Sequence, residues 1–396
     1  MLIDVNGQDP GLVWDDEGRA YVHFSAVADP PSQWTSINQV EVSLQTGERI
    51  GEEKVLWKGT GGIYLEGPHV CRKDGWWYLM ASEGGCFPDH MITVARSRDL
   101  WGPYESAESN PVLPPAKEGA YVAHTGHGDF VEGTDGQWWS IALGVRKDAK
   151  GRYNMGRESF LTPMSWPEGG WPKLEPVEIN PEQMLVRSQR RRPGKDEERG
   201  VAVAKWDARF CYIRDVDLSK HKILREGNAI YLTPDTGFFS DVYKPTSFAG
   251  IRQRKHNGRA SVVMTTQDHE TGIYHRTGRA GLAVYKDEHR YLCVYVDFVS
   301  SEIVYEAINN AKKVTIKQRE KIAAGVRIVI FCVEYTEASY GFSYTAEGNT
   351  RVFKTFDTIG LTGFDFVGPI IGVFAASEEP TFPVLFEALD VDRNVS

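Results

Sequence analysis

The chain has 396 residues, of which 41% are hydrophobic and 25% charged, and its formal net charge is −9. These values are typical of soluble globular proteins, and the length favours two domains over a single core. The negative charge, with no basic stripe beyond the arginines at 190–192, argues against a nucleic-acid partner. No apolar run reaches the roughly 18 residues that a membrane span needs, so no membrane partner is predicted.

The N-terminal stretch MLIDVNGQDPGLVW has neither the basic nor the apolar region of a signal peptide. The five cysteines are odd in number and lack metal-ligand spacing, so we expect free or buried thiols. Such thiols fit a reducing compartment and slightly favour the cytoplasm, which leaves the localisation open.

Residues 9–178 alternate short β-rich runs with turn clusters, a pattern typical of antiparallel hairpins. Three segments share an apolar pair, a polar turn with glycine and an aromatic-rich return: LVWDDEGRAYVHF, HVCRKDGWWYLMA and DFVEGTDGQWWSIAL. Repetition of such a unit favours the blades of a β-propeller, with an ordinary β-sandwich as the alternative. Asp15 and Asp16 lie in the first of these turns and are predicted to be structural.

The polar, charged segment 181–203 is predicted to be a linker between a first domain, 1–180, and a second domain, 204–396. The second domain contains a succession of strand-like runs and hardly any helical periodicity. An antiparallel β-sandwich is therefore predicted for it, and the fold class is all-β throughout.

Five motifs follow one another in the first half: QDPGLVWDDEG, LEGPHV, HMITVARSRDLWGPYES, HTGHGDFVE and NMGRESFLTP. Together with KPTSFAGIRQ and AGLAVYKDEHRY in the second half, they resemble the β-xylosidase and α-L-arabinofuranosidase group of family 43 glycoside hydrolases. The resemblance covers nearly the whole chain. It implies an incomplete five-bladed β-propeller followed by a concanavalin A-like β-sandwich.

Glycoside hydrolysis needs an acid that protonates the leaving oxygen and a carboxylate that activates water across the sugar ring. The resemblance assigns the acid to Glu66, after which Gly67 and Pro68 turn the backbone sharply. It assigns to Asp9, in a DPG turn, the carboxylate that orients this acid and keeps it protonated. Taken alone, both carboxylates would be interpreted as solvated turn residues.

The resemblance also implies four substrate-binding residues: Arg157 in GRESF, His127 in TGHGDF, His90 in DHMITVARS and Phe248 in the PTSF loop. An ion pair between Arg157 and Glu158 inside a blade is the alternative for the arginine, and a buried structural role is the alternative for His127. No cofactor is required. The resemblance allows a calcium or sodium ion near the propeller axis, held through water with help from His127.

The general base of the family, an Asp of the first blade, has no match in this chain. We therefore interpret the chain as lacking that blade. The predicted function is inverting hydrolysis of terminal β-D-xylosyl or α-L-arabinofuranosyl residues from xylo-oligosaccharides or arabinoxylan fragments. The alternative is a catalytically impaired form that only binds carbohydrate. A homo-oligomer is compatible with the sequence.

Overall fold

The computed structural model describes residues 3–27, 35–177, 179, 209–224, 229–268, 270–363 and 366–393. Strands dominate, and the described helices are two single 3₁₀ turns, Leu218–Lys220 and Thr358–Gly360. The all-β fold class is confirmed. Among the described residues, no helix has the length and apolar character needed to cross a membrane. All five cysteines are free thiols, as expected.

The chain separates into two compact units. The first contains Met1–Ala149 and Arg157–Pro193, and the second contains Lys150–Gly156 and Gly194–Ser396. The predicted linker 181–203 lies outside the described residues. The boundaries at 180 and 204 therefore stay predictions.

The described part of the first unit forms three four-stranded antiparallel sheets. Their strands are β1 (Gly7–Trp14), β2 (Ala20–Val27), β3 (Thr35–Val42) and β4 (Arg49–Trp57); β5 (Glu66–Lys73), β6 (Trp76–Glu83), β7 (Met91–Ser97) and β8 (Glu105–Ser106); and β9 (Val122–Glu132), β10 (Trp138–Arg146), β11 (Glu158–Ser165) and β12 (Lys173–Leu174). In each sheet the strands pair in chain order, as in a propeller blade. The implied total of five blades stays a prediction.

Each sheet buries side chains on both faces because neighbouring residues of a strand point in opposite directions. On β2, Tyr21 and Val22 enter two different apolar clusters. On β6, Trp77 packs in one cluster and Trp76 against another. The tryptophan pair is thus part of the blade interior. The opening strands also lie side by side, since β1 packs beside β5 and β5 beside β9.

The second unit is an antiparallel sandwich of a seven-stranded and an eight-stranded sheet. The first sheet has the order β13-β16-β26-β18-β19-β20-β21, and the second has the order β14-β15-β27-β17-β22-β23-β24, with β25 on β23. The strands are β13 (Phe210–Cys211), β14 (His221–Leu224), β15 (Ala229–Leu232), β16 (Ser247–Arg252), β17 (Gly258–Thr265), β18 (Arg279–Asp287), β19 (Arg290–Asp297), β20 (Glu302–Asn309), β21 (Val314–Lys321), β22 (Ile328–Tyr335), β23 (Ser339–Ala346), β24 (Asn349–Val352), β25 (Phe356–Asp357), β26 (Ile370–Ala376) and β27 (Val384–Arg393). The main core draws Leu282 and Val294 from one sheet and Val262 and Phe331 from the other.

The structure corrects the prediction that Phe248 closes the substrate pocket. Phe248 lies on β16 and is 0% exposed. Its ring packs against Phe239 and Tyr285, each with ring centroids 5.9 Å away. The sequence PTSF begins a core strand, so this aromatic ring has no open face for a sugar.

Candidate active site

The opening strand of each sheet in the first unit is irregular. The pairings of β1, β5 and β9 with their neighbours are each interrupted by a register shift. The backbone is left-handed at these points, with φ values of 54° at Asp9, 57° at Gly67 and 43° at His127. A bulge of this kind frees a residue from the ladder and re-aims its side chain. Three neighbouring strands thereby direct Asp9, Glu66 and His127 toward one point.

These three side chains form a compact cluster. Asp9, Glu66 and His127 each place one ligand atom within 4.8 Å of the other two. Nδ1 of His127 lies 3.5 Å from Oε1 of Glu66. Oδ2 of Asp9 accepts a hydrogen bond of 3.0 Å from the backbone N–H of Gly67. Asp9 therefore fixes the backbone directly after Glu66.

The His127 ring lies against Gly67, where any other residue would be strained. A Cβ atom on Gly67 would lie 3.2 Å from the ring, and its positive φ would strain any other residue. The His127 backbone N–H donates to Oγ of Ser82 at 2.7 Å. The hydrogen bond to Glu66 raises the pKa of His127, because the carboxylate stabilises the imidazolium.

His90 lies on the other side of the carboxyl group. Its Nδ1 lies 3.2 Å from the carbonyl oxygen of His124, which can only accept, so Nδ1 carries the proton. Nε2 then presents a lone pair 3.6 Å from Oε1 of Glu66. Burial lowers the pKa of His90 to about 4, which keeps the ring neutral near pH 7. A Cβ atom on Gly126 would lie 2.4 Å from this ring, so the missing side chain makes room for it.

The prediction that His90 binds the substrate directly is therefore corrected. His90 is 1% exposed and has no surface to offer a sugar. It faces Glu66, and any effect on the substrate passes through that carboxyl group.

Arg157 is hydrogen-bonded to Cys86, a residue that the sequence did not single out. Nη1 of Arg157 donates to Sγ of Cys86 at 3.5 Å. Burial first, and then the charge of Glu66, raise the pKa of the Cys86 thiol, which keeps it neutral. The neighbouring Glu158 is bound by Arg146 through two hydrogen bonds of 2.7 and 2.8 Å. The position of Cys86 after a double glycine, four residues before His90, was the available signal.

Glu83 is a second buried carboxylate in this region, and it is structural. It is 0% exposed. It accepts hydrogen bonds from the backbone N–H groups of Thr60 and Gly62, at 2.9 and 2.6 Å, and from Oγ1 of Thr93 at 2.9 Å. Its oxygens hold a loop and a strand together and are not presented to a ligand.

The ligand atoms of the cluster can be compared with those that the implied calcium or sodium ion would need. Calcium takes 6–8 oxygen ligands. The described cluster offers two carboxylates and imidazole nitrogens. A calcium or sodium ion would therefore take most of its ligands from water, and its presence stays a prediction. The clustered carboxylates and imidazole also suit acid–base catalysis, because each of these groups can give or take a proton.

Comparisons with known proteins agree with this architecture. Residues 1–172 match the model of glycosyl hydrolases family 43, and residues 221–392 match the β-xylosidase C-terminal concanavalin A-like domain. A xylosidase/arabinosidase of Butyrivibrio fibrisolvens is 31% identical over 282 residues, which are 64% of this chain and 51% of the relative. The non-reducing end α-L-arabinofuranosidase BoGH43B of Bacteroides ovatus is 26% identical over 87% of this chain and 66% of the relative.

A solved structure extends the likeness to the whole fold. The xylan β-1,4-xylosidase of Bacillus halodurans superposes with a TM-score of 0.80 at 20% identity, over 98% of this chain and 77% of that protein. The chain spans between half and two thirds of the two curated relatives above. The two matches place a glycosyl hydrolases family 43 domain at residues 1–172 and a β-xylosidase C-terminal concanavalin A-like domain at residues 221–392.

Proposed function

We propose that this chain acts in the inverting hydrolysis of terminal β-D-xylosyl or α-L-arabinofuranosyl residues of xylo-oligosaccharides or arabinoxylan fragments. The observation that supports this most directly is the position of Glu66. Its Oε1 lies 3.5 and 3.6 Å from two imidazole nitrogens, in a cluster with Asp9. The relatives named above carry both activities in their names, so both sugars belong to the proposal.

Each residue has a distinct role in this proposal. Glu66 is 13% exposed, enough to reach a bound leaving oxygen while most of the carboxyl group stays out of water. It protonates that oxygen as the glycosidic bond breaks. Asp9 positions Glu66 through the Gly67 N–H and adds a negative charge nearby. Arg157 is proposed to bind sugar hydroxyls with its planar fork.

Inversion also needs a base that activates water, about 6.5–9.5 Å from the acid. We propose that this group is not supplied by the chain. A test follows from the chemistry. Azide attacks an anomeric carbon without losing a proton, so it can replace the base-activated water. The glycosyl–oxygen bond breaks, the leaving oxygen takes the proton of Glu66, and a glycosyl azide of inverted configuration forms.

The experiment measures release of an alkyl or weakly acidic aryl alcohol from a β-xyloside and an α-L-arabinofuranoside, with and without azide. We expect azide to raise the rate and Glu66→Gln to abolish that rise. The matched control is Glu132→Gln, an exposed carboxylate on β9. No turnover in either condition, together with binding of xylo-oligosaccharides, would favour the carbohydrate-binding alternative. Equal rates for Glu66→Gln and the parent would overturn the assignment of the acid.

A further inference from the structure

The loop after β6 carries an aromatic side chain that neither the core nor the roles assigned above account for. Phe87 is 46% exposed, although phenylalanine is among the residues most often buried. Its ring centroid lies 6.3 Å from that of Tyr64, and the two ring planes meet at 39°. Tyr64 lies two residues before Glu66 in the chain. A pair of aromatic rings therefore borders the proposed acid.

Two loops are joined so that these rings meet. The backbone N–H of Gly84 donates to the carbonyl oxygen of Ile63 at 2.7 Å, which connects the loop after β6 to the loop before β5. Gly85 has a φ of 59°, and a Cβ atom there would lie 2.9 Å from the Tyr64 ring and 3.3 Å from the Phe87 ring. The missing side chain of Gly85 thus makes room for both rings.

The backbone around the pair is held in an unusual conformation. Tyr64 has a φ of 53°, a left-handed value that residues other than glycine seldom adopt. Conformations of this kind cluster at active sites and ligand clamps. The carbonyl oxygen of Phe87 accepts a hydrogen bond of 3.1 Å from the N–H of His90, so the turn that carries the ring is also fixed. Fixing the rings before a ligand arrives lowers the entropy cost of binding.

The neighbours of the pair indicate which part of a substrate it meets. Phe87 directly follows Cys86, whose Sγ lies 3.5 Å from Nη1 of Arg157. In glycoside hydrolysis the general acid lies beside the oxygen of the leaving group, so side chains next to Glu66 border the leaving sugar. A xylopyranosyl ring has no CH₂OH group, and its C–H faces are apolar. An exposed aromatic ring offers such a face a matching apolar surface.

We propose that Phe87 and Tyr64 form a platform that binds the xylosyl ring on the leaving-group side of the scissile bond. This inference deepens the proposed function and rests on its assignment of Glu66 as the acid. The terminal sugar is bound separately, by Arg157 and the clustered side chains. The platform therefore makes the chain prefer xylo-oligosaccharides to glycosides of a single pentose.

The test is isothermal titration calorimetry of the full chain with two ligands. One is methyl β-D-xyloside, which has a single sugar. The other is a methyl β-1,4-xylobioside whose linking oxygen is replaced by sulfur, so that it resists hydrolysis. We expect Phe87→Ala to weaken binding of the thio-xylobioside about 10-fold and to leave binding of methyl β-D-xyloside unchanged. Phe87→Trp keeps an aromatic surface and should retain the affinity of the parent.

The matched control is Trp14→Ala. Trp14 is a 49% exposed aromatic residue on β1, five residues beyond Asp9, and its variant should bind both ligands as the parent does. Circular dichroism establishes that each variant folds. Phe87→Leu, which keeps an apolar side chain without the ring, takes the place of Phe87→Ala if the latter does not fold.

Three results would overturn the proposal. The first is unchanged affinity of the Phe87 variant for the thio-xylobioside. The second is an equal loss of affinity for both ligands, which would assign the ring to the terminal sugar or to the fold. The third is a parent that binds the thio-xylobioside no more tightly than methyl β-D-xyloside.

The platform and the proposed reaction fail independently, because calorimetry needs no turnover. Binding that depends on Phe87, in a chain that azide does not activate, refutes the proposed function and leaves the platform as part of a carbohydrate-binding protein. Azide-dependent cleavage that requires Glu66, with thio-xylobioside binding that Phe87→Ala does not weaken, refutes the platform and leaves the proposed function standing.

Discussion

The two units differ in how their titratable side chains are grouped. Asp9, Glu66 and His127 cluster in the first unit, whereas buried groups of the second unit, such as His275 and Lys286, belong to no such cluster among the described residues. In the first unit, charged and titratable side chains lie inside: Glu83 is 0% and His90 1% exposed. The second unit encloses a core of aliphatic and aromatic side chains between its sheets. Two of its buried tyrosine hydroxyl groups donate to side-chain oxygens, Tyr335 to Asp392 at 2.8 Å and Tyr340 to Gln253 at 2.7 Å.

Both units contain irregular strand pairings, since β17 shifts register against β27 and β18 against β19 in the second unit. In the second unit, β19, β20 and β21 pair residue for residue, as do β22 and β23. In the first unit, the opening strands shift register where the clustered residues lie. Natural proteins depart from regular structure mainly at functional sites. Among the described residues, the shifts that carry a cluster of carboxylates and imidazole are those of the first unit.

The largest expected effect is on catalysis. Replacing Glu66 with Gln removes the proton donor, so we expect kcat/KM on substrates with poor leaving groups to fall about 10²- to 10⁴-fold. Tm should change little, because Gln keeps the shape of the side chain. Steady-state kinetics under the conditions that give the parent its activity, together with a melting curve, make the measurement. A large loss of Tm with unchanged kinetics would mean that Glu66 contributes to stability and not to catalysis.

A substitution in the core of the second unit should affect stability instead of catalysis. Phe331 is 0% exposed between the two sheets, so Phe331→Ala should lower the free energy of unfolding by about 3–5 kcal/mol. Urea unfolding, followed as the transition of the second unit, measures this loss. Val352→Ala is the control, since Val352 is 73% exposed on β24 and should contribute little. Equal effects would mean that the core assignment is wrong.

Acid should destabilise both units, and the first unit more. Burial lowers the pKa to about 4 for His23 and His90 in the first unit and for His275 in the second. Below the unfolded value of about 6.5 the unfolded chain binds these protons first, so stability falls with pH. Each histidine contributes up to about 2 kcal/mol of loss between pH 6.5 and 5. The raised pKa of His127 acts in the opposite direction.

Urea unfolding at pH 7, 6 and 5 measures this dependence. His275→Phe removes the titrating group from between Phe298 and Phe382, so it should flatten the pH profile of the second unit alone. His289→Phe, at an exposed position, should leave the profile unchanged. A parallel shift of both units in His275→Phe would show that they do not respond separately.

The smallest expected effect is at Glu83. In Glu83→Gln, an NH₂ group replaces one acceptor oxygen opposite the donors of Thr60, Gly62 and Thr93. We expect the free energy of unfolding to fall by about 1–3 kcal/mol. Urea unfolding checks this, with the exposed Glu132→Gln as control. A loss of catalytic activity without a loss of stability would show that Glu83 acts in catalysis and is not only structural.

Local sequence patterns predicted the β-rich fold and the hairpin repeat because alternation and turn residues act over short distances. The motif resemblance named Asp9, Glu66, His127 and Arg157, and the structure places the first three in one cluster. The prediction that Phe248 closes the substrate pocket was wrong, because a motif does not reveal which side of a strand faces the core.

Cys86 was missed and His90 was interpreted as a substrate contact for a related reason. Their positions depend on contacts between blades, such as the bond from His90 to the carbonyl of His124 on β9. Contacts of this kind join residues that are distant in the chain, and periodicity does not record them.

The bulges of β1, β5 and β9 also affect how such a protein can diverge. The bulges of β1 and β9 leave Asp9 and His127 outside the strand pairing, and the bulge of β5 begins directly after Glu66. Each of these side chains can therefore be exchanged with little effect on the register of its sheet. The reacting groups are thus separable from the scaffold that carries them. A lineage can lose, gain or retune one group at a time, and retain its propeller while its chemistry drifts.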